Sequence, residues 1–135
     1  MSLDFESIEE GDELPFEELL LDKDAVRAYA HASGIAFPRF TDDEGARAEG
    51  LPGMIAPGNM SMGLLASRLE RWAGAGSLRR LGATFRALVL PERTLRLCAV
   101  VTEKDDAAGT VEVDVWMESV EGDRPVIGTA TVKIR

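Results

Sequence analysis

The sequence predicts an α+β fold in which an antiparallel sheet wraps around one long central helix. Three observations predict it. Four consecutive runs in the second half alternate apolar and polar residues, the signature of half-buried strands. Upstream of them a single stretch, Asn59 to Ala73, sets Met62, Leu65, Ala66, Leu69 and Trp72 at helical spacing. An apolar segment near the start, ending at Leu21, supplies one further strand.

Taken in order, Gly11-Asp12-Glu13 leads into Leu14-Pro15-Phe16 and a first strand that tolerates proline near its beginning. Asp22 is a good N-cap for a short helix over 23–33, which Gly34 ends. Val26, Tyr29 and Ala30 give that helix a narrow apolar stripe. Residues 35–53 read as polar loop with a short helical piece around Asp43–Ala48. In the long helix Met60 and Leu64 lie on the side away from the main stripe, so it is apolar around most of its circumference and predicted to be buried. Ser61, Gly63 and Ala66 are small enough for another surface to approach closely. Gly74-Ala75-Gly76 ends it. Leu81 to Val89, Leu95 to Val101, Val111 to Met117 and Val126 to Ile134 then form the strands, separated by turns at 105–109 and 121–125. Such an order suits the hot-dog arrangement, a sheet rolled around one helix. One sheet on one helix leaves an open edge, so a dimer is its natural completion.

Composition bounds the function. The 135 residues allow one domain, expected to occupy 1–135, with 45% apolar and 29% charged residues. No apolar run approaches the roughly 20 residues of a membrane span, and no signal-peptide pattern opens the chain, so a cytoplasmic protein without membrane association is expected. The net charge of −9 argues against nucleic acid as a partner. Charge is uneven: residues 1–24 hold ten acids and one lysine, whereas Arg68 to Arg96 hold seven arginines against Glu70 and Glu92. That basic stretch reads either as a solvated face or as a patch for the phosphates of coenzyme A or an acidic carrier protein. The one cysteine, Cys98, excludes a disulfide and a cysteine zinc site, and its apolar surroundings suit a buried structural thiol. No metal and no cofactor is implied. With one histidine in the chain, any His-based mechanism must use His31.

The run Tyr29-Ala30-His31-Ala32-Ser33-Gly34 resembles the close of the first helix in MaoC-like (R)-specific enoyl-CoA hydratases. Ser33, Gly34, Pro38, Asp42 and Ala46 fit that family's pattern. Ile55-Ala56-Pro57-Gly58-Asn59-Met60 resembles its entrance to the hot-dog helix, and Phe85 to Leu95, with Pro91 and Thr94-Leu95, resembles its next strand and turn. Gly11-Asp12 fits as well. The resemblance covers nearly the whole chain and implies the hot-dog fold and an acyl thioester ligand, carried by coenzyme A or by acyl carrier protein.

The same resemblance implies that the family's catalytic Asp falls on Ile35, its Asn on Phe37, its catalytic His on Phe40 and a second His on Pro57. Isoleucine and phenylalanine exchange no protons, so the acid and base of hydration are missing. What the resemblance leaves is binding: the backbone N–H of Gly58 aimed at the thioester carbonyl at a helix N-terminus. Asn59 either donates a further hydrogen bond or, the preferred reading, N-caps the helix. Met54, Met60 and Met62 are candidates for an acyl channel, or plain core. His31 and Asp42 are weak catalytic candidates, read more readily as a structural or surface histidine and a loop cap. The expectation is a non-catalytic acyl-thioester binder, as a homodimer or as the dyad-lacking subunit of a heterodimer. The alternative is an active hydratase with displaced residues, or a hot-dog thioesterase in which Asp42, Asp43 or Glu44 activates water opposite Gly58.

Overall fold

A computed structural model describes residues 3–135. The five strands are β1 (Glu17–Leu20), β2 (Leu78–Phe85), β3 (Thr94–Asp105), β4 (Thr110–Ser119) and β5 (Val126–Lys133), and the helices are α1 (Lys23–Ala32), α2 (Pro38–Thr41), α3 (Asp43–Ala48) and α4 (Gly58–Ala73). The strands form one antiparallel sheet in the order β1-β3-β4-β5-β2, so the C-terminal run of alternating residues makes its centre. Leu95, Leu97, Ala99 and Val101 of β3 and Val111, Val113, Val115 and Met117 of β4 are buried, while their alternate neighbours face outward. Against that inner face α4 packs Met60, Leu65 and Leu69, touching β2, β3, β4 and β5. The expected antiparallel sheet around one long helix is the observed fold.

Several boundaries differ, each for a local reason. The first strand is broken: the Leu14 N–H donates to the Ala99 carbonyl at 3.0 Å, Pro15 has no N–H to continue, and regular pairing resumes at Glu17. The strand expected over 81–89 instead starts at Leu78 and stops at Phe85. There the N–H groups of Arg86 and Ala87 both turn to the Pro125 carbonyl, at 2.8 and 3.2 Å. Within the expected loop, Pro38 begins the one-turn helix α2, its missing N–H costing nothing at that position. α4 is not buried all round, because Asn59, Gly63, Ser67 and Arg71 lie on an exposed face. Cys98 is not in the core either. It sits half-buried on the outer sheet face opposite Trp116, and burial pushes its thiol up, which keeps it protonated and a poor nucleophile.

Asp22 caps α1 as expected, accepting from the Ala25 N–H at 2.7 Å. Less expected is Arg68, assigned from sequence to the basic stretch. It is 7% exposed, donates to the Pro15 carbonyl and lies 3.3 Å from the Glu17 carboxylate. Arg71 meets the same carboxylate at 2.6 Å. The two arginines thus tie the broken first strand to α4. The Arg71 hydrogen bond, helped by the charge of Arg68, holds Glu17 below the ordinary glutamate value.

Removing one partner of such a buried contact strands the rest. Arg68→Ala is therefore expected to lose about 3 kcal/mol in denaturant unfolding. Because the folded-state pKa of Glu17 is depressed, its contribution is complete above the ordinary glutamate range and fades as pH falls through it. Glu17→Gln should lower Tm at neutral pH and flatten the fall of Tm between about pH 7 and about pH 3.

Candidate functional site

The site forms where α4 begins. Pro57 precedes it in extended backbone with no side-chain cap, so the free N–H groups of the first turn are left to the surroundings. Met60 and Ser61 turn theirs back on the Pro57 carbonyl, at 3.0 and 3.3 Å, which leaves those of Gly58 and Asn59. The approach is fixed from two sides: the Ile55 N–H donates to the Arg39 carbonyl at 2.9 Å and the Ala56 N–H to the Val89 carbonyl at 2.8 Å. Between these three segments lies a cavity of about 280 Å³. Phe40, Gly58, Ser61 and Phe85 line it, with Ile55, Ala56 and residues 87–89 completing an apolar wall.

Two details define its chemistry. The Phe85 ring rests on Gly58 so closely that a Cβ there would stand 3.2 Å from the ring tip. Ser61 is 1% exposed, and its hydroxyl has no hydrogen-bond partner. An unpaired buried hydroxyl costs roughly 1–3 kcal/mol, so its presence calls for an explanation. Arg39 is the one ionisable residue in the wall, and its guanidinium is held 2.8 Å from Glu49. Among the described residues no carboxylate, imidazole or thiol lines the cavity.

A second hollow of about 490 Å³ shares residues 87–89 with the first and is lined by Arg86, Arg93 and Arg124. Arg124 is bound to Glu118 and stacked 4.3 Å over Trp116. Arg86 and Arg93 have no carboxylate within 4.0 Å among the described residues. The basic stretch read from sequence thus divides: Arg68, Arg71, Arg80 and Arg96 pair with acids, Arg79 donates to the Gly76 carbonyl, and Arg86 and Arg93 line this hollow without an acidic partner among the described residues. A larger hollow of about 540 Å³ at Trp116 and Ile127 lies on the outer sheet face, away from α4.

The structure distributes the sequence-derived candidates unevenly. Phe40 and Gly58 share the cavity. Ile35 does not line it; half-buried, it donates its N–H to the Ala30 carbonyl at 2.9 Å, closing the end of α1. Phe37 is exposed, its ring centroid 6.5 Å from that of Phe40. Asn59 is not the N-cap, because the helix already starts at Gly58; Asn59 is exposed in the first turn. Met60 is buried in the core and Met62 half-buried, neither in the cavity wall, and Met54 is buried beside a separate hollow near Lys23 and Asp43. His31 is exposed in the last turn of α1. Asp42 caps α3, accepting from the Gly45 N–H at 2.8 Å. Asp43 accepts from Lys23 at 2.7 Å and from the Met54 N–H at 2.9 Å, and these donors, Lys23 first, lower its pKa. The acidic cluster therefore anchors the loop. Sequence reasoning missed Phe85 and the isolation of Ser61, since neither has a local signature.

Among curated proteins no sequence match is found. Of solved structures, a MaoC-like dehydratase superposes with a TM-score of 0.92 at 26% identity, covering 99% of this chain but 43% of that one, so the chain spans less than half of that protein's length. The (R)-hydratase from A. caviae involved in PHA biosynthesis gives 0.87 at 18% identity over 96% of this chain and 98% of its own. The ChsH1-ChsH2 complex from Mycobacterium tuberculosis gives 0.84 at 22% identity, covering 93% and 97%. These share the hot-dog fold found above. The family described as "MaoC like domain" matches residues 6–122, and with that span of sequence the chain belongs to the MaoC-like domain family.

Proposed function

We propose that the protein, acting as one unit over 1–135, is an acyl-thioester-binding MaoC-like subunit that does not itself hydrate or dehydrate its ligand. The observation that carries this reading is the cavity at the start of α4: it offers a backbone donor at a helix N-terminus but no side chain able to take or give a proton. The acyl end enters against Phe40 and Phe85 with the thioester oxygen at Gly58. The phosphates of coenzyme A, or of a carrier protein's pantetheine arm, reach Arg86 and Arg93 in the adjoining hollow.

A second MaoC-like chain completes the assembly. The outer edge of β2 carries no strand, and Phe85 and Leu88 stand half exposed beside the cavity. That chain is either another copy or a homologue bearing the acid and base; the two-chain naming of the ChsH1-ChsH2 complex supports the second arrangement.

Purified protein should bind crotonyl-CoA in calorimetry and hydrate it no faster than buffer. A turnover abolished by His31→Ala or Asp42→Ala would replace this reading with a displaced acid or base. Arg86→Glu with Arg93→Glu should weaken the binding at least tenfold, on the order of 1.4 kcal/mol, and flatten its salt dependence. Gly58→Ala puts a methyl group 3.2 Å from the Phe85 ring, which must give by a few tenths of an ångström, and narrows the cavity beside the helix N-terminus. It should weaken thioester binding while leaving the dimer seen by sedimentation at micromolar concentration intact.

A further inference from the structure

We propose that the outer face of the sheet, turned away from α4, binds the same face of a second copy of this chain. The inference is independent of the thioester reading, which uses the start of α4 and the hollow beside it. Three observations carry it. A hollow of about 540 Å³ opens on this face over Gly82 and Gly128, which have no side chains to fill it. Val100 and the cross-strand pair Trp116 and Ile127 make it apolar. At the opposite, β1 edge of the same face stands Phe16, 53% exposed, with the Arg96 guanidinium 4.8 Å from its ring centre. Beside this apolar stripe runs a row of alternating charge. Glu18 is opposite Arg96, Arg96 is opposite Glu118, and Glu118 lies 3.2 Å from Arg124.

An alternating row is its own complement. A two-fold axis parallel to the strands, midway between β3 and β4, lays the row on itself in reversed order. Glu18 then faces the copy's Arg124, and Arg96 faces the copy's Glu118. The same rotation sets Phe16 over the hollow at the copy's Ile127 and Cys98 over the copy's Trp116. Stacked sheets lie about 10 Å apart with strands within about 30°, a geometry this axis allows. In a chain of net charge −9 most surfaces repel a second copy, whereas the two acids and two bases of this row cancel. Further along the strands Glu103 stands opposite Glu112, so like charges confine the contact to the half of the face that holds the row and the hollow. A different protein has no reason to carry the reversed row; a second copy carries it by symmetry.

Sedimentation equilibrium from micromolar to submillimolar concentration tests the contact, at low ionic strength to limit screening. At the upper end the wild type should reach twice the mass of Arg96→Glu or of Glu118→Arg. Each of these variants sets like charges against each other across the axis and should weaken the association at least tenfold. Mixed in equal amounts, the two should regain the doubled mass. The acid introduced by Arg96→Glu in one chain then faces the base introduced by Glu118→Arg in the other, while the native Glu118 and Arg96 meet as before. No repair within a single chain produces that result. Ile127→Glu, which alters the hollow and no ion pair, should hold the mass at half on its own. A wild type no heavier than the variants, the outcome if the hollow serves a small ligand or a different protein, overturns the proposal. So does an Ile127→Glu chain that associates like wild type, or a mixture of folded variants that stays at half the mass.

Discussion

The site depends on how α4 is seated in the sheet. Met60, Leu65 and Leu69 press into the inner face of the sheet, where α4 meets β2, β3, β4 and β5, and each buried side chain of this kind contributes roughly 1.5–3 kcal/mol. That contact fixes the depth of the helix and hence the place where its N-terminus opens. The curvature needed to receive it is also written into the backbone. At Gly128 a Cβ would fall 2.1 Å from the Gly82 carbonyl oxygen, so β5 and β2 approach main chain to main chain where no side chain fits. β2 can then curl over the helix and end with Phe85 on Gly58. Packing in the core and the shape of the cavity are thus one constraint.

The polar contacts refine this seat rather than create it. Arg68 and Arg71 converge on Glu17 from successive turns of α4, and Arg68 also reaches the Pro15 carbonyl. Proline interrupts the first strand there, and the carbonyl it exposes is satisfied from the helix. A break in sheet pairing is compensated by a side chain that looks, in sequence, like one of a row of surface cations. At the other end of the helix the loop before α4 is held in the same manner, with Asp43 receiving both Lys23 and the Met54 N–H.

The strands and long helix were legible because their periodicity is forced by burial: Val111, Val113, Val115 and Met117 alternate because one face of β4 meets α4. The Asp22 cap and the turns at Gly109 and Gly122 were legible for equally local reasons, a side chain in reach of its own helix and a positive φ. The end of β2 was not. Alternation continues from Leu81 to Val89, but two N–H groups turn to Pro125, a residue nearly forty positions away, and only the fold brings it there. Gly58 and Phe40 were reached through resemblance to a family, not through any pattern in their neighbourhood. Ser61 carried a size signal only, since whether a hydroxyl is partnered depends on every segment around it. Arg86 and Arg93 were visible as charge, yet their difference from Arg68 lies entirely in which carboxylates the sheet places nearby.

At the cavity, a backbone donor and a side chain able to transfer a proton have different origins. The donor at Gly58 is main chain, set by the start of a helix, and no substitution that preserves the fold removes it. Proton transfer needs particular side chains, which packing alone does not supply. A chain that keeps the seat of α4 therefore keeps that backbone donor whichever side chains surround it. Phe85, itself half exposed, rests against Gly58 at the end of β2, so the ring and the start of the helix share one wall of the cavity.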